Sequence, residues 1–330
     1  MAHVVVIGAG GVGSYFAALL AEHGHEVTLV ARGETLETIS RLGLRIEETG
    51  REPRVVTACR AVATLDGVPV ADVVLVCVKS WQVAAAAVQV APVISNHTVV
   101  VPVQNGVDAA DRLRAALGAD HVVGGVCTVF ARRTAPMSVQ RLGDPPSLRI
   151  GGLPCRSPEA NRIETIASML TDAGIATTIS SDIRRDLWRK LMFIASFGGV
   201  TALSNAAAGV VRSQPRTRAL FRSAVLEVAA VARAASANVT DADVDAAVAR
   251  LDDSDPLATA SMMRDLSAGR PSELYDQTGA VVHYGEWLGV PTPTHSVIYG
   301  ALLPRELQAR GEKTEPRWSP PHHMENNTRT

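Results

Sequence analysis

Hydrophobic residues in the first half of the chain form short runs that alternate with longer amphipathic segments. The short runs are rich in β-branched residues and predict buried strands; they cover residues 3–7, 26–31, 72–78 and 99–103. The segments between them have helical periodicity and cover residues 11–22, 81–94 and 107–117. Since strands that alternate with helices pair in parallel, the pattern predicts an α/β domain with helices on both faces of its sheet.

The character of the chain changes near residue 182. Before that point, residues 121–152 predict further strands, followed by a helix at 159–173 and a strand at 175–180. Beyond it, long segments rich in Ala and Leu have helical periodicity. These helical segments cover residues 183–208, 214–236, 241–252, 273–288 and 294–309. We therefore predict an all-α domain over residues 183–312, followed by a disordered tail at 313–330 that is rich in proline and polar residues.

A glycine-rich motif follows the first predicted strand and opens the first predicted helix. Gly8, Gly10 and Gly13 fit the pattern G-x-G-x-x-G, with Gly11 and Val12 between them. In this context the first glycine permits a tight turn, the second lets a pyrophosphate approach the backbone, and the third lets the helix pack closely on the strand. The free N–H groups of the helix then bind phosphate. The motif predicts a Rossmann-type dinucleotide-binding domain over residues 1–182.

The end of the second predicted strand distinguishes between dinucleotides. Enzymes that use NAD usually place Asp or Glu there to hold the ribose 2′-hydroxyl. In this chain the strand is followed by Arg32 and no carboxylate stands at its tip. A guanidinium binds a 2′-phosphate with two hydrogen bonds and stacks on adenine, so Arg32 favours NADPH/NADP+. A surface arginine in a turn is the alternative interpretation, and FAD would fit the glycines but not the arginine.

Composition and charge bear on the partners of the protein. The chain has 32 basic and 33 acidic residues, a balance that gives no general attraction to nucleic acid or to an acidic membrane surface. It has neither an apolar stretch of about 20 residues nor the basic N-terminal segment of a secretory signal. Its four cysteines lack the spacing of a zinc site. We expect a cytoplasmic protein with no metal and no nucleic-acid or membrane partner.

Three further segments, together with the glycine motif and Arg32, resemble one enzyme family. They are Val-Lys-Ser-Trp-Gln at 78–82, Val-Gln-Asn-Gly at 103–106 and Trp-Arg-Lys-Leu at 188–191. The combination is similar to the ketopantoate reductases (2-dehydropantoate 2-reductases), in an order that holds from residue 3 to about 305. The resemblance implies NADPH-dependent reduction of a small 2-oxo acid, with ketopantoate and its product pantoate as the first candidates.

The resemblance also implies roles for individual residues. Lys190 matches the lysine that donates a hydrogen bond and then a proton to the substrate carbonyl oxygen, which becomes negative when hydride reaches the carbon. Asn105 and Glu273 match residues at the nicotinamide end of the family's cleft, where the asparagine contacts ribose or substrate and the glutamate acts beside the catalytic lysine. Ser261 matches a serine that binds the substrate carboxylate, and Lys79 matches a lysine near the adenosine phosphate.

The chain departs from the family in the substrate pocket. The family carries asparagines four, eight and eighteen residues after the lysine, and another three residues before the serine. Those positions hold Ile194, Gly198, Ala208 and Ala258 in this chain. Amides in a closed pocket pair with hydroxyl and carboxylate groups, so their loss changes substrate discrimination. With Phe193 and Phe197 nearby, we expect a more apolar pocket, in which Asn205 is the nearest asparagine able to compensate.

These observations leave three functions open. The first is an NADPH-dependent 2-oxo acid reductase that acts on ketopantoate. The second is a reductase of the same family that acts on a different ketone, 2-oxo acid or imine. The third is a non-catalytic NADPH-binding sensor, against which the retention of Lys190 and Glu273 argues. The apolar C-terminal helices are compatible with a monomer or a homodimer, since the family shows both.

Overall fold

The computed structural model describes residues 1–321, and its chain divides into two compact units. The first unit comprises Met1–Gln104 and Ala109–Ile183. The second comprises Asn105–Asp108 and the chain from Arg184 onward. The short segment Asn105–Asp108 therefore belongs with the helical part of the chain although it lies within the sequence of the α/β part.

The first unit contains ten strands and five α-helices. The strands are β1 (His3–Ile7), β2 (Glu26–Val30), β3 (Leu44–Glu48), β4 (Arg54–Val56), β5 (Cys59–Val62), β6 (Val73–Val76), β7 (Val99–Pro102), β8 (Gly124–Ala135), β9 (Ser138–Gly151) and β10 (Ala176–Ile179). The helices are α1 (Gly11–Glu22), α2 (Gly33–Leu42), α3 (Val83–Val90), α4 (Ala109–Leu117) and α5 (Ala160–Asp172).

The first sheet positions the predicted nucleotide-binding residues. Its strands lie in the order β5-β2-β1-β6-β7, and every neighbouring pair is parallel. In the central strand Ile7 is in register with Val30 of β2 and with Val76 of β6. The carboxyl ends of these three strands therefore share one edge of the sheet, which is where ligands bind in folds of this kind. The glycine motif, Arg32 and Lys79 each follow one of those strand ends.

A second sheet forms the remainder of this unit. Its order is β10-β9-β3-β4, and β8 pairs with β9 as an antiparallel hairpin. The carboxylate of Glu48 at the end of β3 accepts hydrogen bonds from Tyr15 on α1 (2.6 Å), from Arg141 on β9 (3.2 Å) and from Arg54 on β4. Burial on its own would raise the pKa of Glu48, but these donors outweigh it and lower the pKa to about 2. Burial and the neighbouring Glu48 raise the pKa of Tyr15 to about 12.

The second unit is helical. Its α-helices are α6 (Ile183–Ser204), α7 (Ala208–Ser213), α8 (Pro215–Ala234), α9 (Asp241–Asp253), α10 (Ser261–Ser267), α11 (Ala280–Leu288) and α12 (Pro293–Arg310). A π-helical turn at Tyr275–Gly279 runs directly into α11. Together the two units confirm the predicted fold class, a Rossmann-type α/β part followed by an all-α part. Among residues 1–321, no helix combines the length and apolar character needed to cross a membrane.

Some predicted elements differ from those observed. The helix predicted over 183–208 ends earlier, at Ser204, because Asn205 adopts a left-handed conformation (φ 49°) that ends α6. The helix predicted from 273 begins as a π turn. The strand predicted at 26–31 and the helix predicted at 107–117 both occur with shorter bounds. The predictions omitted the helices α2, α7 and α10 and the strands β3, β4 and β5.

Part of the segment expected to be disordered is packed against the helical unit. The ring of Trp318 stacks on His283 with centroids 5.8 Å apart and meets Tyr284 edge-on at 5.1 Å. The carboxylate of Glu315 accepts a hydrogen bond of 2.7 Å from the hydroxyl of Tyr299. One large aromatic side chain supplies the apolar area that the composition of the segment otherwise lacks. Residues 322–330 of the predicted tail lie outside the described residues.

Candidate functional site

The glycine motif forms a turn in which a side chain would have different consequences at each of the three glycines. Gly8 has a positive φ of 109°, and a Cβ there would lie 2.9 Å from the backbone of Cys77. A Cβ on Gly13 would collide with the carbonyl oxygen of Gly8, so this position holds the helix against the strand. No heavy atom lies within 4 Å of the Cβ position at Gly10. The backbone therefore has open space at the position where the glycine pattern predicts the approach of a pyrophosphate.

The N-terminus of α1 is suited to an anion. The helix begins at Gly11, and its N-cap residue Gly10 has no side chain to satisfy the first N–H groups. No acidic residue stands in the first turn. These N–H groups and the positive end of the helix dipole fit the phosphates of a dinucleotide.

The β8–β9 hairpin contacts the glycine motif directly. A Cβ on Gly11 would collide with the backbone of Ala131 on β8, so Gly11 permits this close approach. Two residues further along, Arg133 donates hydrogen bonds to the carbonyl oxygen of Ala9 (3.3 Å) and to Oγ1 of Thr35 on α2 (2.9 Å). The guanidinium of Arg133 therefore joins the phosphate loop to the first turn of the helix that follows Arg32.

Arg32 is exposed and immediately precedes α2, as its N-cap residue. Its Nη2 lies 3.5 Å from Oε1 of Gln89 on α3. The structure thus places two exposed guanidinium groups, those of Arg32 and Arg133, around the start of α2. Sequence reasoning named only the first, because Arg133 reaches the loop through the hairpin and no motif marks it.

Lys79 follows β6 on the same edge of the sheet. Its ammonium lies 5.9 Å from the centroid of the Trp81 ring, within the range of a cation–π interaction. Its backbone N–H donates to Oε1 of Gln82 at 3.2 Å. The end of β6 is fixed further by Gln104, whose Nε2 donates to the carbonyl oxygens of Val76 and Val78 at 2.7 and 2.9 Å. Gln104 therefore positions the end of β6, a role that the sequence analysis did not assign to it.

The second unit brings Asn105 and Glu273 together. Nδ2 of Asn105 donates a hydrogen bond of 2.8 Å to Oε2 of Glu273. Glu273 is buried, with only 6% of its surface exposed. Gly106 has φ 93°, and a Cβ there would lie 2.8 Å from the carbonyl oxygen of Asp276. Asp108 accepts a hydrogen bond of 2.6 Å from the hydroxyl of Tyr284. These contacts hold the asparagine against the π turn and fix its amide on the buried carboxylate.

Lys190 lies in the second turn of α6 and is half-buried. The helix around it is anchored on both sides. Arg189 pairs with Asp243 on α9 at 2.9 Å, and Trp188 meets Tyr284 edge-on with centroids 5.3 Å apart. These contacts restrict rotation of the helix about its axis, so the direction in which the lysine leaves the helix is fixed by its neighbours.

Ser261 is the first residue of α10 and is exposed. It belongs to the same unit as Lys190, Asn105 and Glu273, but its hydroxyl makes none of the hydrogen bonds described for that unit. Its assignment as a carboxylate-binding residue therefore stays a prediction from the resemblance.

The positions of the missing asparagines differ in their surroundings. Ile194 is half-buried, whereas Ala208 is fully buried and its N–H donates to the carbonyl oxygen of Ala258 at 3.0 Å. A Cβ on Gly198 would lie 2.9 Å from Cε of Met262 and 3.5 Å from Oε1 of Gln277. Sequence reasoning did not name these two neighbours of Gly198.

The two phenylalanines expected to make the pocket apolar are part of the helical core. Phe193 stacks on Phe197 with centroids 5.3 Å apart and meets Phe221 of α8 edge-on at 6.2 Å. The guanidinium of Arg250 on α9 lies 4.5 Å above the Phe193 ring. The expectation is corrected for these residues, because their rings hold α6 against α8 and α9.

Two family models match nearly the whole chain. The one described as "Ketopantoate reductase PanE/ApbA" matches residues 4–154, and its C-terminal counterpart matches residues 182–306. The chain belongs to the ketopantoate reductase family. The resemblance inferred from the segments at 78–82, 103–106 and 188–191 is thereby confirmed.

Individual relatives agree with this family. The chain is 29% identical to a 2-dehydropantoate 2-reductase of Mesorhizobium japonicum over 93% of its own length and 98% of the relative's. It is 30% identical to a crystal structure of a PanE/ApbA family ketopantoate reductase from Ralstonia eutropha, with a TM-score of 0.83 over 93% of this chain and 99% of that one. A structure of D-mandelate dehydrogenase with NADH and anilino(oxo)acetate has the same fold, with a TM-score of 0.84 over 93% of this chain and 99% of that one at 20% identity.

Membership of the family confirms the predicted enzyme class, an NADP-dependent oxidoreductase, and the predicted cofactor. Within the family, 2-dehydropantoate 2-reductase is the activity named for the relative from Mesorhizobium japonicum and for a solved structure from Geobacter metallireducens.

Proposed function

We propose that the protein uses NADPH to reduce a small 2-oxo acid, with ketopantoate as the first candidate substrate, and that Lys190 is the proton donor. The observation that carries this proposal is the hydrogen bond of 2.8 Å from Asn105 to the buried carboxylate of Glu273. A buried carboxylate costs free energy unless it is well paired, so its retention beside a fixed amide is typical of a functional site.

The preference for NADPH is supported by the charges around the start of α2. A 2′-phosphate adds negative charge at the adenosine end of the dinucleotide, and a guanidinium binds phosphate with two parallel hydrogen bonds. Arg32 and Arg133 both lie there, and both are exposed. The open backbone at Gly10 and the uncapped N-terminus of α1 would hold the pyrophosphate.

NADPH, when bound, supplies a hydride to the carbonyl carbon. The two electrons of the C=O π bond then move to the oxygen, which becomes an alkoxide. Lys190 donates a hydrogen bond to this oxygen and transfers one proton to it, which gives the 2-hydroxy acid and a neutral lysine that recovers its proton from solvent. Asn105 and Glu273 orient the reacting groups through their fixed hydrogen bond.

A reductase of the same family with a different substrate is the second candidate. Ile194 stands where the family has an asparagine, and the space beside Gly198 is bordered by Met262. A protein with the same fold is described as D-mandelate dehydrogenase, so the architecture is compatible with more than one 2-hydroxy acid. For this second candidate, the residues at positions 194 and 198 favour a larger or less hydroxylated 2-oxo acid as the substrate.

The experiment is a steady-state assay of NADPH oxidation with ketopantoate beside a panel of other 2-oxo acids and ketones. The first candidate predicts the highest kcat/KM for ketopantoate. A higher kcat/KM for another 2-oxo acid would support the second candidate. Tight NADPH binding without turnover of any panel member would contradict the first candidate and would favour the sensor.

A further inference from the structure

Two side chains border the position of the missing asparagine on α6. Gly198 lies eight residues after Lys190, and an asparagine there would direct its side chain into space that other residues border. Cε of Met262 lies 2.9 Å from the Cβ position, and Oε1 of Gln277 lies 3.5 Å from it. The carboxamide oxygen of Gln277 therefore lies within van der Waals contact of the Cβ position of Gly198, the residue that stands where the family carries an asparagine.

Gln277 lies within the π turn, and its own backbone hydrogen bond fixes it relative to Glu273. The N–H of Gln277 donates to the carbonyl oxygen of Glu273, four residues earlier, whereas the N–H of Gly279 donates to Leu274, five residues earlier. Gln277 and Glu273 consequently lie one turn apart on the same side of the helix. Nε2 of Gln277 lies 3.4 Å from Oε2 of Glu273, the oxygen that also accepts from Asn105.

The partner of Nε2 determines which end of the amide is available. The NH₂ group of Gln277 faces Oε2 of Glu273, so Nε2 is the end of the amide directed at the glutamate. The carbonyl oxygen, Oε1, then faces the space beside Gly198. A carbonyl oxygen accepts from a hydroxyl group and repels a carboxylate, because it has lone pairs and no proton.

Gln277 is only 2% exposed, and Met262 is 1% exposed. An amide oxygen in a closed site gains a hydrogen bond from a substrate that carries a hydroxyl and stays unpaired with one that lacks it, which is the basis of discrimination. The apolar thioether of Met262 beside it suits methyl groups. Together the two side chains are complementary to a small acid that carries both a hydroxyl and methyl groups, as ketopantoate does.

We propose that Gln277 is a specificity-determining residue that accepts a hydrogen bond from the substrate hydroxyl and so replaces the carboxamide that Gly198 lacks. This inference rests on the proposed function, because it concerns the substrate of the same site. The amide that recognises ketopantoate is then the side chain of Gln277 in the π turn, and not a side chain on α6.

The test compares ketopantoate with 3,3-dimethyl-2-oxobutanoate, the same acid without the hydroxyl. For the wild type we expect kcat/KM to favour ketopantoate. In Gln277→Leu we expect this preference to fall at least about 30-fold, mainly through the KM of ketopantoate, since loss of an amide leaves the hydroxyl unpaired. Gln308→Leu, on the exposed side of α12, is the matched control and should keep the wild-type ratio.

A second variant separates recognition from support of Glu273. Gly198→Asn in the Gln277→Leu background restores a carboxamide on α6, where the flexible end of Met262 is the atom that must shift. We expect it to recover at least about fivefold of the lost preference for ketopantoate. Thermal unfolding of each variant, with and without NADPH, reports whether the fold and cofactor binding are kept.

Each outcome decides the inference. If Gln277→Leu lowers kcat/KM for the two acids by the same factor and Gly198→Asn recovers no preference, Gln277 acts only through Glu273 and the proposal is wrong. If the wild type reduces the acid without the hydroxyl better than ketopantoate, the proposal is also wrong, although the general reductase activity stands. If the wild type reduces neither acid, the proposed function fails and this inference fails with it.

Discussion

Asn105 and Glu273 are 168 positions apart in the sequence, and the amide of the first donates a hydrogen bond of 2.8 Å to the carboxylate of the second. The asparagine comes from a four-residue segment that belongs to the helical unit and is held there by Gly106 and Asp108. Asn105 therefore belongs to the helical unit, although in the sequence it lies between two segments of the α/β unit.

The first prediction is that Asn105 and Glu273 act as a pair. Asn105→Ala should lower kcat/KM for the preferred 2-oxo acid by about 10- to 100-fold, since it removes the shorter hydrogen bond to a buried carboxylate and leaves it the longer contact with Gln277. Glu273→Gln should lower it as well, and the double variant should lose much less than the product of the two single losses. Steady-state kinetics on the four proteins measures this coupling, and strictly multiplicative losses would mean that the two residues act independently.

The second prediction concerns the selection of NADPH. Arg32→Gln should weaken NADPH binding by about 10- to 100-fold, the range of a lost charge-assisted phosphate contact, and should change NADH binding much less. Arg133→Gln should act in the same direction. Arg41→Gln, at the exposed end of α2, is the matched control. Titration of both reduced dinucleotides by fluorescence gives the ratio, and an equal loss for NADPH and NADH would count against recognition of the 2′-phosphate.

The third prediction separates two glycines of the phosphate loop. Gly10→Ala should leave the thermal unfolding temperature of the free protein nearly unchanged, because no heavy atom lies within 4 Å of the new methyl group. It should still weaken NADPH binding, since the methyl group stands where the pyrophosphate approaches. Gly13→Ala should destabilise the free protein by about 1–3 kcal/mol, because its methyl group collides with Gly8. Similar unfolding temperatures for both variants would contradict this account of the loop.

The fourth prediction concerns acid stability. The pKa of Glu48 is lowered from 4.5 to about 2 in the folded protein, so the unfolded chain binds the proton first as pH falls. The stabilisation from Glu48 is therefore present above about pH 4.5 and is lost as pH falls toward 2. Glu48→Gln should lower the urea midpoint at pH 7 and should flatten its decline between pH 5 and pH 3.

Glu52→Gln changes an exposed carboxylate close by in the sequence and is the control for this measurement. In Glu52→Gln the urea midpoint should still decline between pH 5 and pH 3, as it does in the wild type. If Glu48→Gln retains the full wild-type decline in the urea midpoint below pH 5, the network of Tyr15, Arg54 and Arg141 around Glu48 does not contribute the acid sensitivity.

The sequence alone predicts the elements whose burial is nearly complete. β1 has all five residues buried, and its continuous apolar run ends at the glycines, so both the strand and the following helix could be predicted. In β3, buried and half-buried positions alternate and charged residues occupy three of its five positions. Strands β4 and β5 have only three and four residues. Such short or polar elements are stabilised by their neighbours in the sheet, which no local pattern shows.

The residues of the candidate site also differ in how far the local sequence identifies them. The glycine motif and Arg32 follow local rules, so their chemistry could be inferred from the residues themselves. Lys190, Asn105 and Glu273 were assigned only through the family resemblance, because each is ordinary in its local context. Gln277 has no local signal at all. Its position beside Gly198 is a contact between two segments that are distant in the sequence, and periodicity within one segment does not reveal such a contact.

The central claim is that this chain reduces a 2-oxo acid with Lys190 as the proton donor. The most direct measurement is the turnover of NADPH and ketopantoate by the wild type and by Lys190→Ala, with NADPH affinity determined for both proteins. We predict that the variant loses at least about 100-fold in kcat while its NADPH affinity stays within about threefold of the wild type. A variant with wild-type kcat would contradict the account, because the proton would then come from another group.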